Sequence, residues 1–247
     1  MTLREARSTL ESDFTHPGSL IALNLLAIDT STNRAALALA RDDVRIESHP
    51  ETGGRPGREL LPAIARLLES AHLSPKNLDA IAVGLGPGSY TGLRVGITAA
   101  KSLAYALNKP LIGIDTLEVI AQNAAKEVNE VIVVLDAQRE AVYAAKFARQ
   151  QTDSPLLRVG PTEIESLVPW AANLSPKGMI LGPNLERLVV TWPDSVRLGT
   201  PEEGHPSAMA LVDRAYVAFL DGRFVDPLRI EPVYLQRSAA EVQWDRR

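Results

Sequence analysis

The stretch that decides the fold runs Leu78-Asp-Ala-Ile-Ala-Val-Gly-Leu-Gly-Pro-Gly-Ser-Tyr-Thr-Gly-Leu-Arg-Val-Gly96. Leu78 to Leu85 is a short, nearly continuous apolar run, the pattern of a strand buried on both faces. Gly86 to Gly92 is a glycine-rich turn, and the helix after it continues to about Leu107, where Lys109-Pro110 stops it. Working outward, Leu25-Leu-Ala-Ile-Asp29, Arg34 to Ala40 and Val44 to Ser48 read as three strands joined by short polar turns, an antiparallel meander. A glycine-bearing loop, Thr52 to Gly57, then opens a helix with Leu60, Leu61, Ile64, Leu67, Leu68 and Ala71 at helical spacing. Pro62 is placed in its first turn, where a missing N–H is tolerated. Downstream, Leu111 to Ile114 reads as a strand and Thr116 to Val128 as a helix.

The order β-β-β-α-β-α-β-α calls for a mixed sheet covered by helices, which is the order of a ribonuclease-H-like lobe. The pattern restarts with Val131 to Leu135, a turn at Asp136 to Glu140, and Ala141 to Phe147, a hairpin. Thr162 and Glu165 have capping-box spacing and predict a short helix starting there. Met179 to Leu181 reads as a small strand. Ser207 is placed to cap a last helix running to Asp221, with Gly222 ending it in a left-handed conformation. The predicted architecture is α/β, two such lobes joined near residues 126 to 130: an extension over 1–23, a first lobe over 24–128 and a second over 129–247.

The chain has 247 residues, 45% hydrophobic and 23% charged, enough apolar surface for two real cores. Its 26 basic against 30 acidic residues give a net charge of −4, unlike the basic field of a protein that binds nucleic acid by itself. There is no cysteine, which excludes disulfides, thiolate metal sites and cysteine nucleophiles and suits the cytoplasm. Leu20 to Ile28 is interrupted by Asn24 and is far short of the ~20 residues that cross a bilayer. Met1 to Ser19 mixes Arg4, Glu5, Arg7, Glu11 and Asp13 and does not read as a signal peptide; it is expected to be a mobile extension.

Candidate chemistry collects at two turns. Gly86, Gly88 and Ser89 stand where glycines can free backbone N–H groups for a phosphate at a helix N-terminus, or where they merely allow a tight turn and close packing; the spacing is neither a Walker loop nor a dinucleotide fingerprint. Asp29, followed by Thr30 and Ser31, stands where actin-like ATPases address a metal-bound phosphate, or where a hydroxyl-rich turn simply closes a hairpin. Asp115, Asp136 and Glu140 read as caps or turn residues. His16, His49, His72 and His205 are scattered with no metal-binding spacing, and incidental roles are expected for them. No Gly-x-Ser-x-Gly elbow supports a hydrolase triad. Gly92, Gly96, Ala100 and Ala104 form a stripe of small residues that admits another helix, either from the same lobe or from a partner.

Leu26-Ala-Ile-Asp-Thr-Ser-Thr32, Gly86-Pro-Gly-Ser-Tyr-Thr-Gly-Leu-Arg-Val-Gly96, Ala100-Lys-Ser-Leu-Ala104, Asp136-Ala-Gln-Arg-Glu-Ala-Val-Tyr143 and, more faintly, Pro232-Val-Tyr-Leu235 together resemble the TsaB (YeaZ-like) family. The resemblance implies an actin-like fold of two lobes and a non-catalytic role in making N6-threonylcarbamoyladenosine in tRNA. It implies as partners the catalytic paralogue TsaD and the small ATPase TsaE, contact with tRNA only through that complex, ATP or ADP with magnesium at the level of the complex, and a homodimer when the chain is alone. The paralogue carries His-x-Glu-x-His, a metal pair, where this chain reads Thr116-Leu-Glu-Val-Ile120, which implies that no metal is held here. TsaB-like chains join their paralogue through two helices of the first lobe, which assigns Leu60, Ile64, Leu67, Gly92, Gly96, Ala100 and Ala104 to the partner interface. The family's His-Ser pair before the first helix is replaced by Gly57-Arg58. Two alternatives are an active actin-like ATPase or phosphotransferase, resting on Asp29 and the glycine loop, and an inactive relative of a glycoprotease-like metallopeptidase.

Overall fold

The computed structural model describes residues 23–41, 44–50, 56–138, 140–174, 178–194 and 196–235. The extension assigned to 1–23 lies outside them except for Leu23, which is buried, and most of the loop from Thr52 lies outside as well. Two five-stranded mixed sheets organise the chain. The first contains β1 (Leu25–Asp29), β2 (Ala36–Arg41), β3 (Val44–Ser48), β4 (Ala80–Gly84) and β5 (Leu111–Ile114) in the order β3-β2-β1-β4-β5. The second contains β6 (Glu130–Gln138), β7 (Ala141–Ala148), β8 (Leu157–Ser166), β9 (Met179–Leu181) and β10 (Arg197–Leu198) in the order β10-β9-β6-β7-β8. In each, the first three strands form an antiparallel meander, the fourth runs parallel beside the first, and the fifth parallel beside the fourth. The second lobe therefore repeats the topology of the first, as the ribonuclease-H-like reading requires.

The two faces of the first sheet are built for different neighbours. Leu26, Ile28, Leu37, Leu39, Ile81 and Val83 point to one side, into a core with α1 (Pro56–Ser70) and α2 (Tyr90–Leu107). The residues between them are mostly alanine, Ala27, Ala36, Ala38, Ala80 and Ala82, and these face α5 (Ala208–Leu220), itself lined by Ala208, Leu211, Ala215 and Ala218. Small side chains on both surfaces let that helix lie close to the sheet. The short α3 (Thr116–Ala121) packs Leu117, Ile120 and Ala121 on the inner face of the second sheet, and α4 (Leu167–Ala172) sits on part of its outer face.

Several expectations are corrected. The division into 24–128 and 129–247 fails at its far end, because α5 belongs to the first sheet. After it, Val225 N–H donates to Leu111 O and Val233 N–H to Leu85 O, both at 2.8 Å. The reason is coverage: without α5 the alanine face of β1, β2 and β4 would lie open to water. The helix predicted over Thr116 to Val128 ends at Ala121, and beyond it the Asn123 side chain donates to the carbonyls of Glu203 and His205 at 2.8 and 2.7 Å. Thr162 to Glu165 is not a helix start but the end of β8, pinned to β7; the Thr162 hydroxyl accepts from Arg158 Nη1 at 2.7 Å, and α4 begins only after Ser166. Pro62 lies in the second turn of α1, on its exposed side, because that helix starts at Pro56. The Ser207 cap (accepting from Ala210 N–H at 3.2 Å) and the left-handed Gly222 (φ 67°) are as predicted. Among the described residues no helix is long and apolar enough to cross a membrane.

Leu211 is fully buried between α5 and the alanine face. Leu211→Ala is expected to lower unfolding free energy by about 2–5 kcal/mol, the cost of a core cavity. Urea unfolding measures this, and faster amide exchange in β1 and β2 is expected with it.

Candidate functional site

Asp29 ends β1 and is 1% exposed. Its Oδ1 accepts from Ser31 N–H at 2.8 Å, an Asx-type closure of the turn, and its Oδ2 accepts from the Thr116 hydroxyl at 2.9 Å. That hydroxyl in turn accepts from Gly86 N–H at 3.1 Å, while Thr116 N–H donates to Gly86 O at 2.9 Å. Gly86 takes φ 93°, a value that glycine adopts without strain. Ser89 N–H donates to Ser31 O at 2.7 Å, and the Ser89 hydroxyl accepts from Gly92 N–H at 3.2 Å as the N-cap of α2. Thr30 closes the ring, its hydroxyl donating to Gly92 O at 2.7 Å.

All six residues assigned to nucleotide or phosphate contact are thus brought together at one place. Both oxygens of Asp29 and the N–H groups of Gly86 and Ser89 are engaged inside the chain. The glycines serve close approach: a Cβ on Gly88 would lie 2.4 Å from Ser31 O and one on Gly92 2.0 Å from Thr30 O. Burial pushes the Asp29 carboxyl above its ordinary value, against the hydrogen bonds from Ser31 and Thr116.

The interface assignment is corrected. Leu60, Ile64, Leu67, Ala100 and Ala104 are at most 4% exposed and belong to the first lobe's own core. Gly92 and Gly96 are pressed against Thr30, where a Cβ on Gly96 would lie 2.1 Å from its hydroxyl. The small stripe admits β1 and its turn. Among the residues that α1 and α2 turn outward are Leu61, Ala65, Thr98, Ser102 and Tyr105, with Leu61 54% and Tyr105 70% exposed; Gly57 and Arg58 are exposed in the first turn of α1.

Asp115 caps α3 as predicted, accepting from Leu117 and Glu118 N–H. Sequence reading missed the ion pairs around α3: Asp115 pairs with Arg158 of β8 at 2.8 Å, and burial raises its carboxyl while Arg158 pulls it down. Glu118 pairs with Arg214 of α5. Asp136 accepts from Gln138 N–H at 2.7 Å and Glu140 takes φ 60°, both turn roles as predicted. His205 is not incidental: its Nδ1 lies 3.2 Å from the Thr32 hydroxyl across the lobes, and burial, with Arg34 nearby, pushes it down. Among the described residues no three His, Asp or Glu side chains gather as a metal site.

Two lobes of one topology, closed on an aspartate turn and a glycine loop, define an actin-like, ribonuclease-H-like α/β protein. The sequence model of TsaD, tRNA N6-adenosine threonylcarbamoyltransferase, matches residues 47–157. The tRNA threonylcarbamoyladenosine biosynthesis protein TsaB of Bacillus subtilis is 30% identical over 232 residues, 90% of this chain and 98% of that protein. TsaB of Escherichia coli is 30% identical over 230 residues, 88% and 96% of the two chains. The solved structure of YeaZ from Pseudomonas aeruginosa matches with a TM-score of 0.74 at 28% identity, covering 86% of this chain and all of that one. The chain belongs to the TsaB family.

Gly96→Ala is expected to cost about 1–3 kcal/mol by overpacking. Thr30→Ala removes the obstructing hydroxyl, so in that background the same change should cost clearly less; urea midpoints for the four-member cycle measure the coupling.

Asp29→Asn keeps an acceptor for Ser31 N–H and gives Thr116 an amide donor. In the native chain the raised carboxyl means that the folded state holds its proton more tightly than the unfolded one. That contribution is complete below the ordinary carboxylate value, near pH 4, and is lost as pH rises through the folded value. The variant is expected to flatten this decline, measured as unfolding free energy between pH 4 and 8.

Proposed function

We propose that this chain is a non-catalytic subunit in the biosynthesis of N6-threonylcarbamoyladenosine in tRNA, pairing with a TsaD-like catalytic paralogue and working with a TsaE-like ATPase. The observation that carries the reading is Thr116. In the paralogue a histidine of a metal pair stands at this point; here the threonine hydroxyl bridges Asp29 Oδ2 and Gly86 N–H, and Ile120, at the second position, is fully buried in apolar surroundings. Internal bonding at this position supports a reading in which chemistry falls to the partner and nucleotide turnover to the complex. A net charge of −4 supports contact with tRNA through that complex, in the cytoplasm. The partner face in this proposal is the outward side of α1 and α2, where exposed Leu61 offers apolar area and exposed Tyr105 is of the aromatic type that anchors interfaces. The same face would serve a homodimer when the chain is alone.

Reconstitution tests the reading. Threonylcarbamoyladenosine, measured by mass spectrometry of digested tRNA, is expected only when the TsaD-like and TsaE-like proteins are present and to fall to background without this chain. Product from this chain alone would reverse the assignment. Leu61→Glu with Tyr105→Glu is expected to weaken binding to the TsaD-like partner at least tenfold, by calorimetry, while leaving the thermal midpoint within about 2 °C of the parent, since exposed substitutions cost little stability. Unchanged affinity would remove the face from consideration.

A further inference from the structure

The second sheet is covered unequally. Its inner face carries Val131, Val133, Leu135, Ala145 and Phe147 under α3. On its outer face, the covered end is at Val134 and Val142, beneath Leu167 and Trp170 of α4. That helix has six residues, about 9 Å of length, whereas the eight-residue β7 runs about 27 Å. Among the described residues the other end of the face is less covered on its β7–β8 side, while Ile132 is partly buried. Register places Ile132, Lys146 and Val159 side by side across β6, β7 and β8, with Glu130, Ala148 and Leu157 in the adjoining row. Leu157 and Val159 are 56% and 55% exposed. Between this face and the wall made by Trp170 lies a groove of about 780 Å³.

Three further features define what would occupy it. The floor carries Ile132, Ala148, Leu157 and Val159 around the Lys146 stem, so the occupant presents aliphatic or aromatic side chains to them. Three carboxylates, Glu130 at the end of the face and Glu163 and Glu165 along β8, outnumber that one ammonium, so the occupant is basic at its margins. The free edge of β8 is broken by Gly160, at φ 84°, and by Pro161, which has no N–H, and the β7–β8 register slips there. Strand addition along that edge is interrupted. A helix laid across the face meets no such obstacle, and it supplies the layer that a sheet of this kind ordinarily carries.

We propose that the outer face of the second sheet is a docking surface for a basic amphipathic helix of another protein, its apolar stripe over Ile132, Ala148 and Val159 and its Lys or Arg side chains toward Glu130, Glu163 and Glu165. The surface lies on the opposite lobe from α1 and α2 and does not depend on the role proposed for them. The chain has no cysteine, so Val159→Cys carries a single benzophenone label. The probe is a fluorescent amphipathic peptide of about 14 residues of Leu and Lys, with a Leu and Glu counterpart. The labelled chain is expected to cross-link the Lys peptide and not the Glu peptide, and Glu163→Lys with Glu165→Lys to weaken Lys-peptide binding at least tenfold. Leu61→Glu, on the other lobe, is expected to leave that binding unchanged. Equal binding of both peptides, or none of either, overturns the proposal, as does affinity insensitive to the charge reversal. Cross-links to a second copy of the chain, or to the chain's own residues, overturn it in favour of those occupants.

Discussion

The buried carboxylate of Asp29 is the constraint on which the first lobe depends. Removing a charge from water is costly, and the cost is offset only if each oxygen finds a well-placed donor. Here two donors reach it: the Ser31 amide closes the turn after β1, and the Thr116 hydroxyl comes from the start of α3 and itself accepts from the Gly86 amide. One side chain thereby fixes the ends of β1 and β4 and the entry to α3. The glycine loop is a consequence, because the turn at Thr30 and Ser31 must lie against α2 with no Cβ between them.

A second level of organisation lies in α3, a joint held from several directions. Asp115 reaches Arg158 in the second sheet, Glu118 reaches Arg214 in α5, and the Gln122 side chain donates to Leu156 O while accepting from Leu156 N–H. Asn123 adds two bonds to the segment before α5. These directional ties, with the apolar contacts of Leu117 and Ile120 beneath them, mean that the lobes shift only by breaking several interactions together. Such an arrangement suits a body that presents surfaces better than a cleft that opens and closes. The return of α5 to the first sheet works in the same sense, since it clamps the end of the chain onto its beginning.

Both surfaces proposed for partners follow from unequal coverage. In the first lobe the large apolar side chains of α1 and α2 face inward, so what remains outside is a mixed surface with a few anchors. In the second lobe a six-residue helix stands where a longer one would be needed, and a strip of apolar sheet is left beside a row of glutamates. The repeat of strand order between the lobes makes the difference visible, because among the described residues the same topology is covered on both faces in one lobe and less fully on the outer face of the other.

The sequence by itself determined the strand–glycine-turn–helix unit, the first meander and the β6–β7 hairpin, the Ser207 and Gly222 ends of α5, and the family. These are local matters of periodicity, capping and turn chemistry, or of motif order. It also brought Asp29, Thr30, Ser31, Gly86, Gly88 and Ser89 forward as one group. Only the tertiary structure showed that Gly88 and Gly92 lie against the carbonyls of Ser31 and Thr30, because a glycine left free for a ligand and a glycine required by a neighbouring carbonyl have the same sequence signature. For the same reason Gly92, Gly96, Ala100 and Ala104 could be read as facing a partner, although they face Thr30 and the core. The end of the second lobe was also hidden from periodicity: an amphipathic helix shows that it has an apolar face, and the sheet it covers is settled only by which one is left bare.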